Sequence, residues 1–435
     1  MLKKYKISFS LLLLSSILVL TTISAVNATQ SSIYVSTEGN DSWSGENPTW
    51  NGTDGPKLTV QNAVNTVTIN GTVNVASGSY FEKEIPLFNN VQITGAGSSN
   101  TFINAENEGI IFYVDQSVTA TLSGITLKNG NFDVGGAIYN NGNLQLNDVT
   151  FQSNNALDSG GAVFNTKQGQ LTVINCNFTG NTAPNGGGIY NYGTCTIQNS
   201  NFEFNTATQG GSITNYGVLS VNNVVFNSNH ALEMGGALYN SPRGDVTIDS
   251  SSFTKNNVTN IDSYGGAISS YGLLTVTGTI LTNNMATYGS SVANIGKLSA
   301  LATGNWWGDI DGPDESDVYG DVDINNWLMS DPSILNNFNQ ENNVEKPLLM
   351  VMGGLNTNLE PETSSNTKTD LGITTLSNDN TSTETNNTVN PQGIATTTQY
   401  NTSTNSDPLN PTLPLASVAW GCLMVVGGVV LPRRK

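Results

Sequence analysis

Charge is scarce in this chain. Only 11% of its 435 residues are Asp, Glu, Lys or Arg, and 33 acidic residues face 15 basic ones. The resulting net charge of −18 argues against nucleic acid and against anionic membrane surfaces as partners. Between positions 31 and 345 the only basic residues are Lys57, Lys83, Lys128, Lys167, Arg243, Lys255 and Lys297, and they form no cluster. Three cysteines are too few for a disulfide framework. A body built of repeated helices is disfavoured by composition, because Gly, Asn and Thr at this density would break them.

Against these absences stands one repeated phrase. GGAIYN, GGAVFN, GGGIYN, GGSITN, GGALYN, GGAISS and GSSVAN begin at Gly135, Gly160, Gly186, Gly210, Gly235, Gly265 and Gly289. The interval is 24 to 26 residues, with one stretched to 30. A fixed period of this size marks a solenoid, in which stacking supplies the core that no single repeat can bury. About fifteen residues after each GG comes an F-x-x-N phrase, at Phe151/Asn154, Phe178/Asn181, Phe202/Asn205, Phe226/Asn229 and Phe253/Asn256, with Leu281/Asn284 as a weaker copy.

Alignment on these phrases yields apolar columns two residues apart, the mark of a strand with one face on a core. Leu144, Leu171, Cys195, Leu219, Val246 and Leu274 form one column; Leu146, Val173, Ile197, Val221, Ile248 and Val276 form the next. Ile138, Val163, Ile189, Ile213, Leu238, Ile268 and Val292 form a third, just after GG. The GG pair and the N-Y-G and N-N-G triplets are read as turns in which Gly supplies positive φ and Asn tolerates it. Stacked Asn140, Asn165, Asn191, Asn215, Asn240 and Asn294 are expected to form amide ladders. The fold expected is all-β, a right-handed parallel β-helix with about three short strands per coil. Cys176 and Cys195 occupy different columns and are not expected to pair.

Six segments follow. Residues 1–28 read as a signal peptide, with Lys3, Lys4 and Lys6 before an apolar run from Ile7 to Leu20. Residues 29–128 hold an N-terminal cap and irregular first coils, with a short helix expected over Pro56–Val64 as a plug on the open end. Residues 129–304 are the regular coils, and 305–345 a C-terminal cap with Trp306, Trp307 and Trp327. Residues 346–412 turn to Thr, Asn, Ser and Pro, a stalk with sequons at Asn380, Asn386 and Asn401. Residues 413–435 read as a transmembrane anchor with the basic tail Arg433–Lys435 inside, placing the solenoid at the cell surface.

The alternation of GG-A-I with F-x-x-N resembles the repeats of polymorphic outer-membrane proteins. The exit Asn305-Trp306-Trp307-Gly308, the opening Ile33-Tyr34-Val35-Ser36 and the short basic-ended tail resemble archaeal adhesin-like surface proteins with right-handed β-helix repeats. That resemblance implies a surface protein that mediates attachment to glycans, cells or envelope components, or one that builds the envelope itself.

A polysaccharide lyase or hydrolase is the alternative. Lyase chemistry needs a base and usually calcium, and hydrolysis needs opposed carboxylates. The regular coils offer one Arg and one His, and His230 is read as an exposed turn residue. The acids Asp133, Asp148, Asp158, Glu203, Glu233, Asp245, Asp249 and Asp262 are read as falling at different phases of the repeat, so no catalytic residue is named. Asp309-x-Asp311 and Asp321-x-Asp323 lack the ligand set of a calcium loop, so neither metal nor cofactor is expected. The candidate binding residues are aromatic. Tyr139, Phe164, Tyr190 and Tyr239 follow the inward column by one residue and are expected to face outward, with Tyr192, Tyr216 and Tyr271 in the adjacent turn. They serve either as stacking that stabilises the sheet or as a strip for sugar rings or a protein partner.

Overall fold

The structure, a computed structural model, describes residues 30–332. The expected signal peptide, stalk and membrane anchor lie outside the described residues. No helix among the described residues is long and apolar enough to cross a membrane.

Three parallel sheets of twelve, ten and nine strands run the length of the solenoid. Each coil contributes one strand to each sheet, as in Ile138–Asn140, Asn143–Asn147 and Thr150–Gln152. The columns inferred from periodicity meet as direct partners: Leu144 pairs with Leu171, Leu171 with Cys195, Cys195 with Leu219, and so on to Leu274. All of them are buried. Burying one such side chain contributes roughly 1.5–3 kcal/mol, and the gain recurs in every coil. Register is fixed because a one-residue slip would turn every apolar column to solvent.

The nine-strand sheet carries the most uniform column. Phe151, Phe178, Phe202, Phe226 and Phe253 are fully buried and stacked with centroids 4.4 to 5.1 Å apart. Three residues on, Asn154, Asn181, Asn205, Asn229, Asn256 and Asn284 form a buried amide ladder. The Nδ2 of Asn205 also donates to the carbonyl of Phe178, and its Oδ1 accepts from the backbone N–H of Asn181. The ladder anticipated at the other corner also forms: Asn140 donates to Asn165, Asn165 to Asn191, Asn191 to Asn215 and Asn215 to Asn240. It then passes to Ser270, while Asn294 turns to the carbonyls of Leu298 and Asp321.

Two features differ from the sequence expectation. The glycines of N-Y-G have ordinary φ; they are small because a Cβ at Gly193 or Gly217 would lie about 2 Å from a carbonyl oxygen of the preceding coil. The positive φ expected at the GG pair is found at its first residue, from 62° to 67° at Gly135, Gly160, Gly186, Gly210, Gly235, Gly265 and Gly289. The second difference is a fourth strand in several coils, between F-x-x-N and GG. Asn131–Val134 pairs with Asn155–Ser159, and Thr206–Gln209, His230–Met234 and Asn257–Val258 form a further ribbon. Single bridges through Thr182 and Asn185 join the two ribbons. Between them stands Pro184, which has no N–H for a ladder.

The N-terminal helix α1 spans Val60–Thr66, later than the Pro56 start expected. Lys57 is held extended, its N–H donating to Tyr34 and its carbonyl accepting from Ser36. Thr59 then caps the helix through Asn62 N–H, and the Glu82 carboxylate accepts from Val60 and Gln61 N–H. Val60 and Ala63 close the core of the first coils. At the other end Trp307 joins the same core and Trp327 packs against it.

Candidate functional site

The outer face of the ten-strand sheet carries the aromatic column. Ile138, Val163 and Ile189 point inward, so Tyr139, Phe164 and Tyr190 leave on the opposite side. The rings stack in order: Tyr113 on Tyr139 at 5.1 Å, Tyr139 on Phe164 at 5.6 Å, and Phe164 on Tyr190 at 5.2 Å. Tyr113 was not among the residues singled out, although its pairing with Tyr139 extends the same column by one coil.

The next position holds Thr214, and the turn residue Tyr216 fills the gap by stacking on Tyr190 at 5.4 Å. Tyr192 stacks on Tyr216 at 5.2 Å. Beyond the gap, Tyr239 meets Tyr271 edge-on at 6.0 Å. The seven expected residues therefore form two groups, with Tyr139, Phe164, Tyr190, Tyr192 and Tyr216 in one and Tyr239 and Tyr271 in the other.

Facing away from the core does not leave every ring in solvent. Tyr190 and Tyr239 are each only 8% exposed, against 39% for Tyr192. The positive φ of GG folds the fourth strand back beside the outer face of the ten-strand sheet, making a concave corner. Thr214 Oγ1 donates to the Gln209 carbonyl at 2.8 Å across it, and Tyr271 OH reaches Met234 Sδ at 3.9 Å. A Cβ on Gly135 would lie 2.2 Å from the Ile138 carbonyl oxygen and 3.1 Å from the Cβ of Phe164, so the corner admits only glycine there. Burial pushes the hydroxyls of Tyr190 and Tyr239 well above the ordinary tyrosine range, with neighbouring tyrosines adding to the shift. Tyr139 is raised for the same reasons.

The facing wall has its own column: Val134, Ser159, Asn185, Gln209, Met234, Tyr264 and Tyr288, linked coil to coil. These are the residues just before GG, a phase legible in the sequence but not used. Tyr264, Tyr288 and Tyr319 gather at its C-terminal end, with Tyr264 stacked on Tyr288 at 4.9 Å.

The acids also need correction. Asp133, Asp158 and Glu233 share one phase, two residues before GG, and line one exposed rim. Asp158 and Asp133 belong to adjacent coils, and Glu233 lies three coils on, about 14 Å along the axis. They stand on one wall and not opposed across a bound chain, as hydrolysis would require. His230 opens the strand His230–Met234 and is not a turn residue; burial lowers its pKa, and its Nε2 lies 3.5 Å from Thr259 Oγ1.

The C-terminal carboxylates tie down their own turns. Asp309 accepts from Asp311 N–H, Asp317 from Asp314 N–H and Ser290 Oγ, and Asp323 from Asn325 N–H. Among the described residues no group of three or more His, Cys, Asp or Glu is arranged to hold a metal ion. Cys176 and Cys195 are buried and unpaired, their thiols held up by desolvation, to about 12 for Cys176.

No curated protein matches the chain. The model of the Chlamydia polymorphic membrane protein repeat matches residues 175–192 and 223–241. Each match runs from F-x-x-N through GG to the tyrosine-bearing strand, by way of the bridging residues Thr182 and Asn185 in the first and the strand His230–Met234 in the second, so the matched repeat is the segment that builds both walls of the corner.

Proposed function

We propose that this protein is a non-catalytic, surface-exposed attachment module whose concave corner meets glycans or surface proteins. One observation carries the reading: an aromatic ladder on the outer face of a rigid parallel sheet, one ring per coil from Tyr113 to Tyr190 and continued by Tyr216, where a purely structural solenoid requires only polar residues. Tyr190 and Tyr239 act as its buried supports. Tyr113, Tyr139, Phe164, Tyr192, Tyr216 and Tyr271 offer the contact surface. The repeat match to a membrane-protein family supports a place at the cell surface, and the sequence of residues 1–28 and 413–435 supports export and anchoring. The rival role, an envelope component with no ligand, differs in one observable. Residues 29–345 should bind a defined glycan or cell type saturably, and Tyr192→Ala with Tyr216→Ala should weaken that binding. Absence of saturable binding to any glycan or cell would favour the envelope role.

A further inference from the structure

The two ribbons of fourth strands, with the bridges that join them, make up a fourth sheet, and its outer face is the least explained surface of the solenoid. On one side its strands bury small residues, Ala156, Ala207, Ala231 and Val258. On the other side they present large apolar groups: Leu157 at 66% exposure, Leu232 at 45% and Ile261 at 87%. Leu157 and Leu232 occupy the same register position three coils apart, two residues after Asn155 and His230, which belong to one column through Thr182 and Thr206. Ile261 arrives through the stretched 30-residue interval, whose extra residues Asn260 to Asp262 line an open, shallow recess of about 450 Å³ together with Glu233 and Met234 of the preceding coil.

Every ionised side chain on this face carries the same sign. Asp133, Asp158, Glu233 and Asp262 are exposed, no Lys or Arg occurs in the strands or in residues 257–264, and burial keeps His230 neutral. Asp158 accepts from Ser159 Oγ and Glu233 from Gln209 Nε2, but neither they nor Asp262 meets a basic side chain among the described residues. Exposed leucine and isoleucine beside such carboxylates call for a partner that supplies apolar contact and positive charge together. A second copy brings a chain of net charge −18 and is repelled. Residues 333–432 of this chain bring two lysines against eight acids and are repelled as well.

We infer that the fourth-sheet face docks a basic, partly apolar segment of a partner protein, with Leu157, Leu232 and Ile261 as apolar contacts and Asp158, Glu233 and Asp262 pairing its lysines or arginines. This rests on the attachment reading and names the partner class for it.

The test uses the purified full-length protein in mild detergent and a fluorescein-labelled alternating Lys-Leu octapeptide, followed by anisotropy. Saturable binding is expected, with an alternating Glu-Leu octapeptide failing to bind. The triple variant Asp158→Asn, Glu233→Gln, Asp262→Asn should weaken binding about tenfold. A control triple that removes the same charge elsewhere, Asp148→Asn, Glu203→Gln, Asp245→Asn, should stay within about twofold. Leu232→Ser with Ile261→Ser should weaken binding without changing its salt dependence. Equal losses in the two triples would overturn the inference in favour of bulk charge. No peptide binding by a protein that still binds glycans or cells would overturn the partner class and leave the attachment reading standing.

Discussion

Two stacks of aromatic rings run along this solenoid, and they follow different rules. The inner stack, Phe151 to Phe253, is a single residue type in every coil and wholly buried. The outer stack mixes Tyr and Phe and is interrupted by Thr214, Ser269 and Ala293 at the paired positions. The inner column fills a closed space of fixed volume, where any smaller residue leaves a cavity. Beyond the sheet the outer column meets a neighbouring strand and solvent, and a turn residue such as Tyr216 can repair a gap. Inner uniformity therefore reports packing, and outer variation marks the surface free to acquire a partner.

The sharpest break in this comparison is Phe202→Ala against Tyr139→Ala. The inner truncation should cost about 3–5 kcal/mol in denaturant unfolding and the outer one about 1 kcal/mol. Equal losses would show that the outer rings belong to the same packed unit. A smaller effect is expected at the inner amide ladder. Asn205→Leu leaves the Phe178 carbonyl and the Asn181 N–H without their partner and should cost about 2–3 kcal/mol.

The smallest effect is a pH dependence confined to the outer stack. Burial raises the folded-state pKa of Tyr190 and Tyr239 above the unfolded value of about 10. The folded protein then holds these protons more tightly, so their contribution is fully present below pH 10 and is lost as pH rises through the folded values. Stability should be flat toward neutral pH and fall in alkali. Tyr190→Phe with Tyr239→Phe should lessen that fall, measured by unfolding at pH 9 and pH 11. An unchanged alkaline slope would show that both hydroxyls reach water.

The columns Leu144 to Leu274 and Leu146 to Val276 were legible because a parallel coil repeats its neighbours' environment at a fixed sequence interval. Tyr113 was equally legible by phase and was missed because its coil lacks the GG mark. The rim of Asp133, Asp158 and Glu233 was also legible, since counting back from GG aligns all three. The late start of α1 was not, because it depends on Glu82, some twenty residues away in sequence, accepting from the helix's first N–H groups.

The sequence by itself determined the coil, its period, its three main sheets and the inward face of each, because periodicity two within strands and about 25 between coils admits one stacking. Tertiary structure alone decided how open the outer face is. Positive φ at the first Gly of each GG sets the angle at which the fourth strand returns, and that angle buries Tyr190 and Tyr239 while leaving Tyr192, Leu157 and Ile261 in solvent. An angle between two walls has no period in the chain, so it could be read only from the folded corner.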